Sequence, residues 1–171
     1  VPAVRKALDA ALQMAKVFPH IDFRREVTIG HLVLDTDSKA GVLAKVNPPI
    51  RPREDVEYLW EQVLSGNVHW IVSDHACCRH ETKVSKHAFG NIWLAKSGFG
   101  GTEYLLPALV SEGSKRGLSY NRIAALTSLN PARRFGLNAK GDIAEGLDAD
   151  LALVDPAETW TIRAKDSEST Q

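Results

Sequence analysis

The chain has 171 residues, of which 44% are hydrophobic and 25% are charged, so it is an ordinary globular protein with enough apolar material for a sizeable core. Its 21 basic and 21 acidic side chains cancel, and no basic excess indicates binding to nucleic acid or to an anionic membrane. No apolar run approaches the roughly 20 residues that span a bilayer, and the N-terminal stretch lacks a signal-peptide pattern. Two adjacent cysteines close almost no loop, so a reducing, cytoplasmic setting is expected.

The first half of the chain alternates between helical and strand patterns. Apolar residues at helical spacing predict a helix over residues 4–18. A run rich in β-branched and apolar residues predicts a strand over 26–35 that leads into a turn. Three prolines keep residues 43–55 mostly extended or looped. A second helix is predicted over 53–66, and 68–74 is the next strand. The order strand, helix, strand is typical of parallel βα units.

The stretch after the second strand is predicted to be a long loop. Residues 79–103 are polar and contain glycines, which is typical of a functional or mobile loop. A helix is predicted over 103–117, and Ser119 is a candidate cap for the next one. Two short helices separated at Asn130 and Pro131 are predicted to complete this part of the chain.

The composition and the pattern of the sequence change from Gly136 onward. Glycine turns alternate with short strand patterns, at 150–155 and 158–164. This shift in composition predicts two units, an α/β body over residues 1–136 and a small β element over residues 137–171.

Polar groups that are costly to bury follow directly on the apolar run Trp70–Val72. Asp74 and His75 come where a parallel strand is predicted to end, and reactive groups collect at such ends because the fold opens there. An aspartate in this place could act as a general base, bind a metal ion, or do both. It could equally cap the next helix or turn, and these residues alone leave the alternatives open.

Five phrases occur in one order along the chain. They are VNPPIR at 46–51, IVSDHA at 71–76, GFGGTEYLLP at 98–107, LTSLNPARRFGL at 126–137 and KGDIAEGLDADLALVDP at 140–156. The series resembles the C-terminal half of the cyclic amidohydrolases (dihydroorotase, allantoinase and hydantoinase) of the amidohydrolase superfamily. The last two phrases are specific to that superfamily, and NPP-R looks more like dihydroorotase and allantoinase.

This resemblance implies an α/β fold, namely the last strands and helices of a partial (β/α)8 TIM barrel followed by a piece of the flanking β-sandwich. In the family, one or two divalent metal ions, usually zinc, lie at the C-terminal face of the barrel. A metal-bound hydroxide attacks the carbonyl carbon of a cyclic amide, because the cation lowers the pKa of its water and polarises the carbonyl. The expected partner is therefore a small cyclic amide, with neither nucleic acid nor membrane involved.

The matching motifs also imply roles for single residues. Asp74 would bind the metal and carry a proton from the attacking water to the leaving nitrogen. Asn47 would contact the substrate ring through its amide, or simply form a turn before two prolines. His75 would orient the aspartate or contact substrate, or be a structural histidine. Gly100 and Gly101 would let the backbone approach the ligand, or belong to a flexible loop.

Other positions depart from the family pattern. Cys77 stands where a proline is common, and at His31 one of two expected residues is replaced by Gly30, which makes His31 a weak candidate for substrate contact. No H-x-H pair occurs, although the family uses one for metal binding. A single aspartate cannot hold a catalytic zinc, which normally takes three protein ligands.

A complete barrel also needs about 250 residues. We therefore expect a C-terminal fragment with little or no hydrolase activity when isolated. Its open strands would expose edges and apolar faces, which predicts a homo-oligomer.

Two further hypotheses remain. The chain could be a non-catalytic amidohydrolase-like scaffold or partner subunit. It could also be a compact metal-binding module, whose ligands would be Asp74, His75, Cys77, Cys78 and His80.

Overall fold

The computed structural model describes residues 1–85 and 90–169. Seven α-helices and two strands are formed there, in the order α1 (Arg5–Val17), β1 (Glu26–Thr28), α2 (Ile29–Val33), α3 (Arg53–Leu64), β2 (Trp70–Val72), α4 (His80–Lys83), α5 (Leu105–Lys115), α6 (Tyr120–Ala124) and α7 (Asn130–Phe135). Short 3-10 turns cover Gly41–Ala44 and Ala164–Asp166. Across the described ranges, no helix combines the length and apolar character that crossing a membrane requires.

The two strands form a parallel pair. Glu26 lies opposite Trp70, and Thr28 lies opposite Val72. This pairing confirms the predicted parallel strand–helix–strand unit, with α2 and α3 in the connection. Because parallel strands point the same way, the chain leaves both of them at one edge of the sheet, and that edge positions the candidate site.

The predicted first strand is too long. The prediction of a strand over 26–35 is wrong beyond Thr28, because residues Ile29–Val33 form α2. The Thr28 hydroxyl caps this helix by accepting a hydrogen bond from the His31 backbone N–H at 3.3 Å. The residues from Ile29 to Leu32 are all buried, and a short run that is buried on every side cannot be assigned to helix or strand by its periodicity.

The core is centred on α3. Trp60 is 1% exposed, its indole N–H donates to the Leu32 carbonyl at 2.8 Å, and the Arg116 guanidinium lies 4.8 Å from its ring centroid. This one side chain therefore connects α3 to α2 and to the end of α5. Other fully buried members of the core are Leu8, Val27, Leu32, Val56, Leu59, Val63, Val68, Leu109 and Leu126.

The helices after residue 119 are continuous. Ser119 caps α6 as predicted, by accepting from the Arg122 N–H at 3.2 Å. The predicted break at Asn130 and Pro131 is wrong, because α6 passes through a π-helical turn at Ala125–Leu129 directly into α7. Pro131 lies in the first turn of α7.

The strands predicted over 150–155 and 158–164 are wrong for the described residues. Neither range forms a strand, and most side chains of this segment are exposed, including Leu153 at 100% and Ile143 at 83%. The alternation that predicted strands leaves apolar side chains in solvent because no described segment pairs with this one. The division into units 1–136 and 137–171 stays a prediction.

We predict that Trp60→Phe lowers the free energy of unfolding by about 1–3 kcal/mol, because the buried Leu32 carbonyl loses its donor. Urea unfolding followed by circular dichroism measures the change. Leu64→Ala is a control on the same helix, since Leu64 is 45% exposed, and it should change stability by no more than about 0.5 kcal/mol. Equal effects of the two substitutions would contradict the proposed importance of this hydrogen bond.

Candidate functional site

Asp74 lies two residues beyond β2, at the edge where both strands end. Its backbone φ is +51°, a left-handed conformation that few residues other than glycine adopt and that aspartate tolerates better than most. The side chain is exposed, and within the described residues no hydrogen bond engages its carboxylate. The carboxylate therefore faces solvent as an available proton acceptor.

His75 holds the glycine loop against the end of β2. Its Nδ1 accepts hydrogen bonds from the backbone N–H groups of Gly101, at 3.2 Å, and Thr102, at 3.3 Å. Because Nδ1 accepts, the ring proton belongs on Nε2, which lies 3.2 Å from the Cys77 sulfur and donates to it. Both ring nitrogens are therefore engaged within the protein.

Two glycines of this loop are needed for close packing against the chain itself. A Cβ atom at Gly98 would lie 2.5 Å from the Ala76 carbonyl oxygen, and its φ of +101° also disfavours a side chain. A Cβ atom at Gly101 would lie 3.2 Å from the Ser73 carbonyl oxygen. Gly100, between them, is half-buried. The glycine loop, residues 98–102, thus lies directly on the segment that carries Asp74.

Asn47 lies on a neighbouring loop and is exposed. The peptide between Asn47 and Pro48 is cis, and the Pro48 carbonyl accepts a hydrogen bond from His31 Nε2 at 2.9 Å. Two residues before Asn47, the Lys45 carbonyl accepts from the Gly98 N–H at 2.9 Å. The Asn47 loop is therefore connected both to the start of α2 and to the glycine loop.

His31 has a structural role in this geometry. It is 2% exposed, and the Thr28 hydroxyl lies 2.6 Å from its Nδ1. Because a carbonyl can only accept, Nε2 carries the proton and Nδ1 accepts from Thr28. Burial lowers the pKa of His31, with partial compensation from the bond to Pro48, so the ring is neutral. Gly30 beside it leaves room for Phe99, since a Cβ there would lie 2.8 Å from the Phe99 ring.

The sequence patterns did not identify one residue that contributes to the geometry of this site. Lys83 is 3% exposed, and its ammonium donates to the Lys45 carbonyl at 2.8 Å and to the Gly98 carbonyl. A single lysine in a polar loop carries no sequence signal for such burial, because most lysines are exposed.

The described residues do not complete a metal site. Among them, no three His, Cys, Asp or Glu side chains are grouped so that they could hold a metal ion. Cys77 and Cys78 are free and partly buried, and among the described residues the five proposed ligands of the metal module are not brought together. Asp74 fits one ligand position of a zinc site, but a catalytic zinc normally takes three protein ligands. His87, another imidazole of this loop, lies outside the described residues.

The sequence matches the amidohydrolase family over residues 6–170. The chain belongs to this family. An allantoinase from Rubrobacter xylanophilus is 50% identical over 143 residues, which are 81% of this chain and 31% of that protein. A dihydroorotase from Halobacterium salinarum is 40% identical over 146 residues, which are 84% of this chain and 33% of that protein.

The fold agrees with the same family. The solved structure of an L-hydantoinase (dihydropyrimidinase) from Arthrobacter aurescens matches 86% of this chain and 33% of its own length, with a TM-score of 0.78 and 28% identity. The family resemblance predicted from the motifs is confirmed. The amidohydrolase chain described here spans about a third of the length of these relatives.

The neutral, buried His31 predicts how stability depends on pH. Its pKa is lower in the folded chain than the value of about 6.5 expected when unfolded. As the pH drops, the unfolded state therefore binds a proton at this histidine more readily than the folded state does. The free energy of unfolding should fall between about pH 7.5 and pH 5, by at most about 1.4 kcal/mol per pH unit for one such group. Urea unfolding at several pH values measures this dependence.

A His31→Gln variant should show a shallower pH dependence over that range, because the titrating group is gone. Burial also lowers the pKa of His69, so a matched His69→Gln variant measures the share of that second histidine. An unchanged slope in His31→Gln would refute the assignment to His31.

Proposed function

We propose that this chain forms part of the active region of a hydrolase that opens the ring of a cyclic amide, with allantoin as the first substrate to test. The observation that carries the proposal is the solvent-facing Asp74 carboxylate at the common end of two parallel strands. The choice of allantoin is supported by the 50% identity to a protein named allantoinase. Dihydroorotate and hydantoins are the alternatives that the other relatives suggest.

Asp74 is the proposed proton carrier. Water adds to the carbonyl carbon of the ring, and the carboxylate accepts the proton that the water loses. The same proton then passes to the ring nitrogen as the C–N bond breaks, so the carboxylate is regenerated and the product gains one molecule of water. The exposed position of Asp74, with no hydrogen bond to its carboxylate in the described ranges, leaves its oxygens available for both transfers.

The substrate-facing roles are assigned to the two loops. The Asn47 amide offers one donor and one acceptor side, which suits an –NH–C=O edge of a ring. The backbone at Gly100 would let the ring come close to the loop, whereas Gly101 packs against the Ser73 carbonyl instead. His75 would act by holding this loop rather than by direct contact, because both of its ring nitrogens already have partners.

The proposed function includes a divalent metal ion, most simply zinc. The described residues alone do not supply enough ligands to bind it. Asp74 would be one ligand, and at least two more would have to come from outside the described residues. We therefore propose that this chain by itself has little or no activity. We also propose that its fold is the last part of a (β/α)8 barrel followed by part of a β-sandwich, which the parallel pair and the hydantoinase similarity support.

The role of Asp74 is tested by assaying ring opening of allantoin, dihydroorotate and hydantoin by the product of the complete gene and by this chain. We expect turnover from the former, little or none from the latter, and a loss of about 10²–10⁴-fold in kcat for Asp74→Asn, which removes the base. Asp37→Asn, at an exposed turn, is the matched control and should keep full activity.

Turnover that survives in Asp74→Asn would eliminate its role as proton carrier. A folded complete product that opens none of the three rings would instead favour the scaffold hypothesis.

Self-association is the second proposal, and it follows from the exposed surfaces. In the described residues each strand has one neighbour, so both outer edges are open. Large apolar side chains are also exposed at Trp93, Ile143 and Leu153. Size-exclusion chromatography with light scattering should give a dimer or larger species, and Ile143→Glu with Leu153→Glu should shift it to smaller mass. A clean monomer of the unaltered chain would contradict this prediction.

A further inference from the structure

Lys83 buries an ammonium group without a carboxylate partner in the described parts of the chain. It is 3% exposed, and none of the ion pairs formed there includes it. Lysine is rarely buried to this extent, because removing its charge from water is costly unless polar partners replace the water. Here the partners are two backbone carbonyls, and burial lowers the pKa of Lys83.

The two carbonyls belong to the two loops that are proposed to face the substrate. One is at Lys45, two residues before Asn47, and it lies 2.8 Å from the Lys83 ammonium. The other is at Gly98, in the glycine loop. The Lys45 carbonyl also accepts the Gly98 N–H at 2.9 Å, so the two loops meet at this point and a single cation spans them.

From Gly98 the connection continues to the segment that carries Asp74. The Phe99 carbonyl accepts from the Ala76 N–H at 3.1 Å. The N–H groups of Gly101 and Thr102 donate to His75 Nδ1 at 3.2 and 3.3 Å. The glycine loop is thus fixed on one side by Lys83 and on the other by the residues next to Asp74.

We propose that Lys83 is a positioning residue that sets the spacing between the Asn47 loop and the glycine loop without touching the substrate. An ammonium suits this task because its three N–H donors can serve carbonyls from separate segments, and a flexible stem lets it reach both. The consequence for ring binding rests on the proposed function, whereas the connection of the two loops does not.

The connection is tested on this chain by amide hydrogen exchange measured by NMR. Lys83→Met keeps the length of the side chain but removes the donors. We expect exchange at Gly98, Gly101 and Thr102 to accelerate at least about tenfold, while the amides of α3 keep the rate of the parent chain. Lys96→Met, an exposed lysine two residues before the glycine loop, is the matched control and should change none of them.

Unchanged exchange at those three amides in a folded Lys83→Met chain would overturn the proposal. Should that variant fail to fold, the unaltered chain still decides the matter through the ¹⁵N signal of its lysine ammonium groups. The proposal requires one ammonium whose protons exchange with water at least about tenfold more slowly than those of the exposed lysines, and which disappears in Lys83→Arg. An ammonium spectrum without such a protected signal would overturn it.

The consequence for binding is tested with the product of the complete gene on allantoin. We expect Lys83→Met to raise KM at least about tenfold and to change kcat by less than about threefold, since spacing affects ring binding and not proton transfer. A fall in kcat at constant KM would overturn this part. If the unaltered product opens no ring, the proposed function fails, and the exchange experiment still decides whether Lys83 connects the loops.

Discussion

The parallel pairing of β1 with β2 is the constraint on which the rest of this structure depends. It brings the ends of two segments that are 44 positions apart to one edge, with Thr28 beside Val72. Beyond that edge the segment after β1 enters α2, which contains His31. The segment after β2 turns outward at Asp74. The pairing is maintained by burial, since Val27 and Ile71 lie in the same buried core as Leu59 of α3. The exposed Asp74 carboxylate therefore lies just beyond the end of a buried strand pair.

In the loops beyond this edge, side chains supply the hydrogen-bond partners that neighbouring strands supply within the sheet. The loops that carry Asn47 and Gly98 have backbone groups that no strand pairs, and such groups need partners when they are removed from water. His31 supplies a donor for the Pro48 carbonyl, and Lys83 supplies donors for Lys45 and Gly98. These polar residues are buried because the loops over the strand ends require them.

His75 contributes to the same loops as a hydrogen-bond acceptor and not as a donor. It accepts two backbone N–H groups, of Gly101 and Thr102, whereas His31 and Lys83 donate to carbonyls. The loop therefore receives donors near one end and an acceptor near the other. Close approach at Gly98 makes both sets of bonds possible, because a side chain there would collide with the Ala76 carbonyl.

The sequence predicted those parts of the fold whose pattern is decided locally. The helices α1 and α3 and the strand β2 follow from periodicity, and the Ser119 cap follows from its own side chain. The run Ile29–Val33 could not be assigned in the same way because four of its five residues are buried, and a short buried run gives helix and strand the same signature. The alternating residues of 150–155 and 158–164 predicted strands that need a partner strand, and none of the described segments provides one.

For the candidate site, sequence motifs could locate residues but not the bonds between them. Asp74, His75 and Gly101 were found by their phrases, whereas the contact of His75 with Gly101 depends on how a loop 26 residues later folds back. Lys83 had no signal at all, since its partners are backbone carbonyls and any residue type can supply those. Motifs record side chains whose chemistry is specific, so interactions with the backbone are invisible to them.

The contacts that connect the loops are formed among the described residues, whereas a set of metal ligands is not. The described residues supply a carboxylate, a loop amide and a connected glycine loop, which the proposed function uses to position a ring and to move a proton. They do not supply a set of metal ligands. Positioning depends on contacts within α2, β2 and the loops between residues 45 and 102, all of which this chain contains. Metal binding in a barrel depends on side chains from several strands that converge at one face. The contacts that connect the loops are therefore formed within this chain, whereas the proposed metal centre would need ligands from outside the described residues.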